Sequence, residues 1–179
     1  MNKPRYQAVV VVTIDGKIAK HANHNVNWSS PEDKRFLHQK IKESDVIIIG
    51  RKTFEVAKKA LTKKEFITRN YIVLTRSVKN SRRLDGQTLL VNPSKVDINQ
   101  MIIDLGCTKV CILGGTKTYG LMLRMNLIDD LFITIEPMVF GSGQGIFDFV
   151  GTTRRFILKS IKSLNKEGTI LLHYQKNKH

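Results

Sequence analysis

The chain has 179 residues with a hydrophobic content of 41%, which fits one folded domain over residues 1–179. No apolar run approaches the roughly 20 residues that a membrane span needs, and no signal segment precedes the first predicted strand, so we expect a cytoplasmic protein without a membrane partner. The 30 Lys and Arg residues against 15 Asp and Glu residues give a net charge of +15, which favours anionic partners.

The positive charge is spread along the chain and is not gathered in one stripe. Its lysines form only short clusters such as Lys58-Lys59, and few aromatic residues lie near them. Because single-stranded nucleic-acid sites combine aromatic with basic residues, we expect a small phosphorylated molecule as the partner and no nucleic acid. Cys107 and Cys111 lack further Cys or His residues at metal-ligand spacing, so we expect no metal site and two buried thiols.

The first part of the chain predicts a strand, a loop and a helix. Residues 6–14 form a valine-rich apolar run, which is typical of a buried strand. The polar stretch 17–27 is predicted to be a long loop. Residues 29–33, with the sequence Ser-Ser-Pro-Glu-Asp, supply a cap residue, a first-turn proline and two acids for a helix.

The rest of the chain continues the alternation of strands and helices. Strands are predicted at residues 45–49, 71–75, 88–91, 110–113 and 131–136, with helices beginning at residues 50, 98 and 116. A glycine-rich loop at 141–145 precedes two final strands, 156–163 and 169–175. This order predicts a three-layer α/β fold whose mixed, mostly parallel sheet ends in a C-terminal antiparallel hairpin.

A glycine pair between a buried strand and a helix is the strongest local signal of a binding site. Gly114 and Gly115 allow close approach of the backbone to an anion, and the following helix directs free N–H groups and its positive dipole end to the same place. The residues expected to contact phosphate here are Gly114, Gly115, Thr116, Lys117 and Thr118. A ligand is therefore expected at the carboxyl edge of the sheet.

Two further strand ends carry glycine, hydroxyl or cationic residues. One comprises Gly50, Arg51, Lys52 and Thr53, and the other comprises Thr75, Arg76 and Ser77. Three such strand ends at one sheet edge suit an extended ligand with several phosphates, such as a dinucleotide. Arg76 would then bind a 2′-phosphate and favour the phosphorylated cofactor by about ten- to a hundredfold.

These motifs resemble the dihydrofolate reductase-like superfamily over nearly the whole chain. The similarity rests on residues 50–55, 74–77, 114–119 and 131–134, in that order. Residues 13–19, 28–33, 126–131 and 137–143 are most similar to the reductase domain of riboflavin biosynthesis, the 5-amino-6-(5-phosphoribosylamino)uracil reductase. The resemblance implies NADPH as cofactor, hydride transfer from its nicotinamide, a cis peptide between Gly114 and Gly115, and a homodimer.

Two departures from the riboflavin branch leave other functions open. That branch usually carries an acid where this chain has Leu113, and a different segment in place of residues 50–53. A reductase of dihydrofolate or another pteridine is therefore one alternative. A non-enzymatic nucleotide or nucleic-acid binder, which the net charge would explain, is another.

The reduction requires a proton source as well as a hydride donor. We predict Asp33 as substrate anchor or proton relay, because a carboxyl group buried in a cleft has a raised pKa. Lys17 is predicted to contact a substrate oxygen or phosphate, and Thr134 to hydrogen-bond the substrate or orient Asp33. Further substrate contacts are predicted at Asp15, Trp28, Ser30 and Glu136.

Overall fold

The computed structural model describes residues 3–21, 24, 27–60, 69–148, 151 and 153–177. In chain order its elements are β1 (Arg5–Thr13), β2 (Lys17–Ala19), α1 (Pro31–Lys42), β3 (Val46–Gly50), α2 (Arg51–Ala60), β4 (Asn70–Leu74), β5 (Ser81–Arg83), β6 (Thr88–Val91), α3 (Ile98–Asp104), β7 (Lys109–Ile112), α4 (Thr116–Arg124), β8 (Asp130–Glu136), β9 (Gln144–Gly145), β10 (Phe156–Ser163) and β11 (Ile170–Lys176).

Within the described residues, nine strands form one sheet in the order β10-β11-β8-β1-β7-β3-β4-β6-β5. The central strands from β8 to β6 run parallel to one another. The short β5 is antiparallel at one edge, and the hairpin β10–β11 is antiparallel at the other. The predicted mixed, mostly parallel sheet with a C-terminal hairpin is confirmed.

Helices cover both faces of the sheet, because the central strands are apolar on both sides. Phe36 of α1 and Phe54 of α2 pack with Ile47 and Ile49 of β3 on one face. Helices α3 and α4 pack on the other face, where Ile102 and Met122 are fully buried. This arrangement confirms the predicted three layers, and it leaves the carboxyl ends of the parallel strands free for a site.

The prediction of a long loop at residues 17–27 is wrong for its first part. Lys17–Ala19 forms β2, which pairs with β9 inside the predicted glycine-rich loop. Gly143 allows this approach, because a Cβ there would lie 2.2 Å from the Ala19 carbonyl oxygen, and its φ is +132°. Strands of two or three residues are too short to show a hydrophobic period, so β2, β5 and β9 escaped prediction. Residues 22, 23, 25 and 26 of the loop lie outside the described residues.

One of the two predicted buried thiols is buried. Cys111 on β7 is fully buried, whereas Cys107, just after α3, is only partly buried, so that part of the prediction is wrong. Cys107 precedes β7 and lies outside the region where side chains are covered on both sheet faces. Among the described residues, no helix is long and apolar enough to cross a membrane.

Candidate active site

The structure brings the glycine pair and the Gly50 junction into direct contact. They follow β7 and β3, which are neighbours in the sheet. The Gly50 N–H donates to the Gly114 carbonyl oxygen at 2.7 Å, and the Gly115 N–H donates to Thr53 Oγ1 at 2.8 Å. Two segments that are distant in sequence therefore form one continuous backbone surface at the carboxyl edge.

Glycine is required at two points of this surface. A Cβ on Gly50 would lie 2.6 Å from Thr118 Oγ1, and one on Gly114 would lie 2.4 Å from the Tyr119 ring. Gly114 has a φ of +80°, and its peptide bond to Gly115 is cis, as the resemblance implied. Glycine at both positions therefore lets the ends of β3 and β7 pack closely against the first turn of α4.

The N-terminus of α4 offers free donors beside the glycine pair. Gly115 is the N-cap residue and provides no side-chain cap. No described residue accepts a hydrogen bond from the backbone N–H of Thr116 or Lys117. A helix N-terminus with unused N–H groups attracts anions, so this junction is able to hold a phosphate group.

The third predicted junction joins the first two through Arg51. Its guanidinium donates to Ser77 Oγ at 3.0 Å and pairs with Glu55 at 2.9 Å. The hydroxyls of Thr75 and Ser77 lie 3.0 Å apart. The predicted cations Lys52, Arg76 and Lys117 are exposed around this surface. All three junctions therefore share one edge, with Arg51 already partly engaged by protein groups.

A second group of polar residues is buried between α1 and β8. Asp33 is only 4% exposed, and its pKa is raised because burial penalises the charged carboxylate. The hydroxyls of Thr134 and Ser29 lie close enough to oppose that rise, while the negative charge of Glu136 adds to it. Asp33 therefore holds a proton to higher pH than an exposed Asp does.

Two hydroxyls beside Asp33 have unused hydrogen-bonding capacity. Ser29 Oγ and Thr134 Oγ1 are both buried, and the described part of the chain gives neither a hydrogen bond of normal geometry. The indole N–H of Trp28 is also buried without a partner among these residues. Unpaired buried polar groups are rare in folded proteins, and such a group calls for a ligand or water.

Two residues predicted to bind substrate are engaged within the protein. Ser30 caps α1, since its Oγ accepts from the Asp33 N–H at 3.2 Å. Glu136 accepts from the Ser30 N–H at 2.7 Å with one oxygen and from the Thr169 hydroxyl at 2.7 Å with the other. Their substrate contacts stay predictions, and their observed bonds fix the start of α1 against the end of β8.

Asp15 and Lys17 lie in the turn between β1 and β2. The Asp15 carboxylate accepts from the Thr13 hydroxyl at 2.5 Å and from the N–H groups of Phe140 and Gly141 at 3.2 and 3.0 Å. The Thr13 bond is the main cause of its lowered pKa. Among the described residues no ion pair joins Lys17 to Asp33, so the structure brings Thr134 but not Lys17 to that carboxyl group.

Phe140 belongs to the motif at residues 137–143 but was not predicted as a site residue, although it contacts two predicted ones, Trp28 and Asp15. Its ring packs edge-on against Trp28, with centroids 5.0 Å apart, and the Lys20 ammonium lies 5.1 Å from the ring centre. Ser29 was also missed, because nothing in the sequence separates its hydroxyl from that of Ser30. For Phe140 the only sequence signal was its place beside the glycine-rich loop.

The glycine surface and the buried polar residues around Asp33 lie at the same edge of the sheet. Thr134 and Glu136 end β8, the glycine pair follows β7, and β1 lies between these strands. Two strand spacings separate them by about 10 Å. The surface formed by residues 50–53 and 114–118, called the glycine cradle below, thus faces the same region as the buried carboxyl group of Asp33. This arrangement suits a nucleotide cofactor beside a small substrate.

A family model, the RibD C-terminal domain, matches residues 4–170. The chain belongs to the RibD C-terminal domain family. The resemblance to the dihydrofolate reductase-like superfamily is thereby confirmed. Two relatives from Bacillus subtilis are similar over most of their length: uncharacterized protein YwjB, 23% identical over 92% of this chain and 94% of its own, and uncharacterized protein YyaP, 22% identical over 94% and 93%.

Solved structures of RibD-type proteins share the fold of this family member. A putative riboflavin biosynthesis protein from Shewanella sp. PV-4 has a TM-score of 0.78 and 20% identity over 97% of this chain and 99% of its own. A deaminase/5-amino-6-(5-phosphoribosylamino)uracil reductase from Thermotoga maritima has a TM-score of 0.74 and 17% identity. It is matched over 98% of this chain but only 57% of its own, so the chain corresponds to part of that protein.

One cavity of this RibD-type domain lies away from the carboxyl edge. It has a volume of about 460 Å³ and is lined by Asn126, Thr153, Arg154, Arg155, Lys176 and Asn177. Lys176 ends β11, beside the amino end of β8, so the cavity is at the opposite edge of the sheet. Part of the positive charge of the protein therefore lies far from both the glycine cradle and Asp33.

Proposed function

We propose that this protein is an NADPH-dependent reductase that reduces a phosphoribosylamino-pyrimidine in riboflavin biosynthesis. The observation that carries the proposal is the buried Asp33, with two unpaired hydroxyls beside it, at the same sheet edge as the glycine cradle. Family membership supports the reductase class. We place the reaction in the cytoplasm, on a small phosphorylated substrate, without a nucleic-acid or membrane partner.

The glycine cradle has the features that a dinucleotide cofactor requires. Gly50 and Gly114 let the two strand ends pack closely at the start of α4, where the free N–H groups of Thr116 and Lys117 would hold a pyrophosphate. Arg76, exposed between Thr75 and Ser77, would bind the 2′-phosphate. When bound, the cofactor supplies the hydride.

Asp33 would supply the proton that the reduction consumes. Adding hydride to a C=N bond or a ring-opened sugar carbon leaves negative charge on a heteroatom, which must be protonated. Because burial raises the pKa of Asp33, its carboxyl group remains protonated closer to neutral pH. Thr134 beside it would orient the carboxyl group or contact the substrate.

Two other functions have an observation in their favour. Reduction of dihydrofolate or another pteridine fits the same fold and cradle, and the Gly50 to Thr53 segment favours it. Nucleotide or nucleic-acid binding without catalysis would account for the net charge of +15 and for the basic cavity at the far edge. Neither requires a different arrangement of the cradle.

The deciding experiment measures NADPH consumption with dihydrofolate and with the phosphoribosylamino-pyrimidine in parallel. We expect turnover with the pyrimidine, and at least about a hundredfold loss in Asp33→Asn, because a positioned proton donor contributes that much. Glu32→Gln removes the neighbouring carboxylate, which pairs with Arg35, and is expected to retain activity.

Other outcomes select between the alternatives. Turnover with dihydrofolate alone would identify a pteridine reductase. Tight RNA or DNA binding at physiological salt without NADPH binding would contradict the reductase proposal. Full activity in Asp33→Asn would remove the proposed role of that residue.

We also propose that the protein forms a homodimer through the C-terminal hairpin. β10 is the edge strand of the sheet, and its Leu158 and Ile161 are 44% and 61% exposed. They pair with Tyr174 and Leu172 on β11, which lie on one sheet face and are only partly buried. An exposed apolar strip on an unpaired edge strand suits pairing with a second copy.

A further inference from the structure

The two serines that precede α1 have opposite hydrogen-bonding states. Ser30 is fully used, since its Oγ accepts from the Asp33 N–H and its N–H donates to Glu136. Ser29 is 5% exposed, and its Oγ has no hydrogen-bond partner among the described residues. The hydroxyl with capacity for a ligand is therefore that of Ser29.

An unpaired hydroxyl in this place costs folding free energy. Alanine has nearly the same volume and carries no polar group that burial would penalise, so stability alone does not favour serine here. A buried hydroxyl without a hydrogen bond of normal geometry in the protein calls for a water or a ligand. Because Ser29 lies beside Asp33, that partner would lie at the same carboxyl group.

Ser29, Asp33 and Thr134 together present three oxygens in one buried place. Ser29 comes from the segment before α1, Asp33 from its first turn, and Thr134 from β8. Each group has capacity to accept a hydrogen bond, because hydroxyl oxygens carry lone pairs and a carboxyl group keeps an acceptor oxygen whether or not it is protonated. Such a set is complementary to a flat molecule with several N–H donors along one edge.

We propose that Ser29 is a substrate-binding residue, whose hydroxyl joins Asp33 and Thr134 in holding the N–H donor edge of an aminopyrimidine. The inference rests on the proposed function only for the substrate class. It assigns to Ser29 the contact that the sequence had suggested for Ser30, whose hydroxyl is held by the helix cap. Ser29 thereby contributes to the choice of substrate, since an analogue without the N–H groups would leave buried oxygens unpaired.

Binding of 2,4-diaminopyrimidine, a small heterocycle with adjacent N–H donors, tests this assignment. We expect calorimetry to show about three- to tenfold weaker binding in Ser29→Ala than in the wild type, which corresponds to one lost hydrogen bond. Ser29→Thr keeps a hydroxyl and is expected to restore much of the affinity. Thermal unfolding of Ser29→Ala in acid, where Asp33 is uncharged, should occur at no lower temperature than in the wild type, because Ser29 Oγ makes no hydrogen bond of normal geometry within the protein.

Asp97→Ala is the stability control at a distant helix. Asp97 caps α3, where its side chain accepts from the Gln100 N–H at 3.0 Å, so we expect a lower unfolding temperature with unchanged affinity for 2,4-diaminopyrimidine below that temperature. Equal affinity in Ser29→Ala and the wild type, or no binding by the wild type at millimolar concentration, would overturn the assignment.

The same measurement separates this inference from the proposed function. It uses no turnover, so a protein that binds the heterocycle through Ser29 but consumes no NADPH would contradict only the reductase proposal. Conversely, an active reductase whose Ser29→Ala variant binds 2,4-diaminopyrimidine normally would contradict only the role of Ser29.

Discussion

Burial of the Asp33 carboxyl group is the residue-scale feature that links stability to chemistry. Its pKa is raised by desolvation, and the Thr134 and Ser29 hydroxyls offset part of that rise. Because the folded-state pKa of Asp33 lies above the unfolded value, the protein loses stability as the pH rises from the unfolded to the folded pKa; the loss is complete above the raised pKa and disappears in acid. A residue that lowers stability at neutral pH is retained where its proton is used.

The pH dependence of turnover follows from this environment. If protonated Asp33 is required, kcat/KM should fall about tenfold per pH unit above the raised pKa of Asp33. Thr134→Val removes a hydroxyl that lowers this pKa, so the falling limb should move to higher pH. The measurement is the pH profile of kcat/KM for the wild type and Thr134→Val at saturating NADPH.

Asp33→Asn provides the stability control for the same argument. It removes the cost of burying a charge, so its free energy of unfolding at pH 8 should equal or exceed that of the wild type. A falling limb at the pH of an ordinary Asp, or one that moves to lower pH in Thr134→Val, would contradict the assigned proton donor.

At the scale of elements, the candidate cofactor site is built from three strand-to-helix and strand-to-loop junctions. Parallel neighbours β7, β3 and β4 end at the same edge, so their following residues meet whatever their separation in sequence. The Gly50 to Gly114 and Arg51 to Ser77 bonds join them into one surface. The order of the strands in the sheet thus brings three motifs that are separate in sequence together into one site.

Arg76 provides a test of which junction binds the cofactor's extra phosphate. We expect Arg76→Ala to reduce the preference for NADPH over NADH by about ten- to a hundredfold, because one charge-assisted contact is lost. The measurement is the ratio of the two dissociation constants by fluorescence titration. Lys79→Ala removes a cation from the same exposed loop and should leave the ratio unchanged. An unchanged ratio in Arg76→Ala would place the 2′-phosphate elsewhere.

At the scale of the whole molecule, the two outermost strands of the sheet, β5 and β10, differ. β5 closes one edge with three exposed residues, whereas β10 presents eight residues at the other, most of them exposed. A long edge strand with apolar side chains invites pairing unless something covers it. The proposed dimer would cover it with the same strand of a second copy.

Ile161→Lys tests the proposed dimer. A charge in the apolar strip must be desolvated on association, so we expect at least about tenfold weaker dimerisation by analytical ultracentrifugation. Ser160→Lys places the same charge on the adjacent residue, which pairs with His173 on the other sheet face, and is expected to have a smaller effect. A wild-type protein that stays monomeric at high concentration would contradict the proposal.

The sequence by itself determined the layer architecture, the order of the main elements and the three junctions. These features depend on local patterns: apolar runs for buried strands, a Ser-Pro pair for the start of α1, and glycines where no Cβ fits. The resemblance carried by the same motifs led to the correct family. Short strands such as β2 and β9 were missed because their pairing depends on contacts between distant segments.

Only the tertiary structure decided which predicted polar groups remain free to bind a ligand. Ser29 and Ser30 are equivalent in the sequence, yet Ser30 is used by the helix cap and by Glu136, which lies 106 residues away. Asp15 is likewise engaged by the backbone of Phe140 and Gly141. Folding brings residues that are distant in sequence together, and their donors and acceptors then form hydrogen bonds with one another. The free hydroxyl of Ser29 could therefore be identified only in the folded structure.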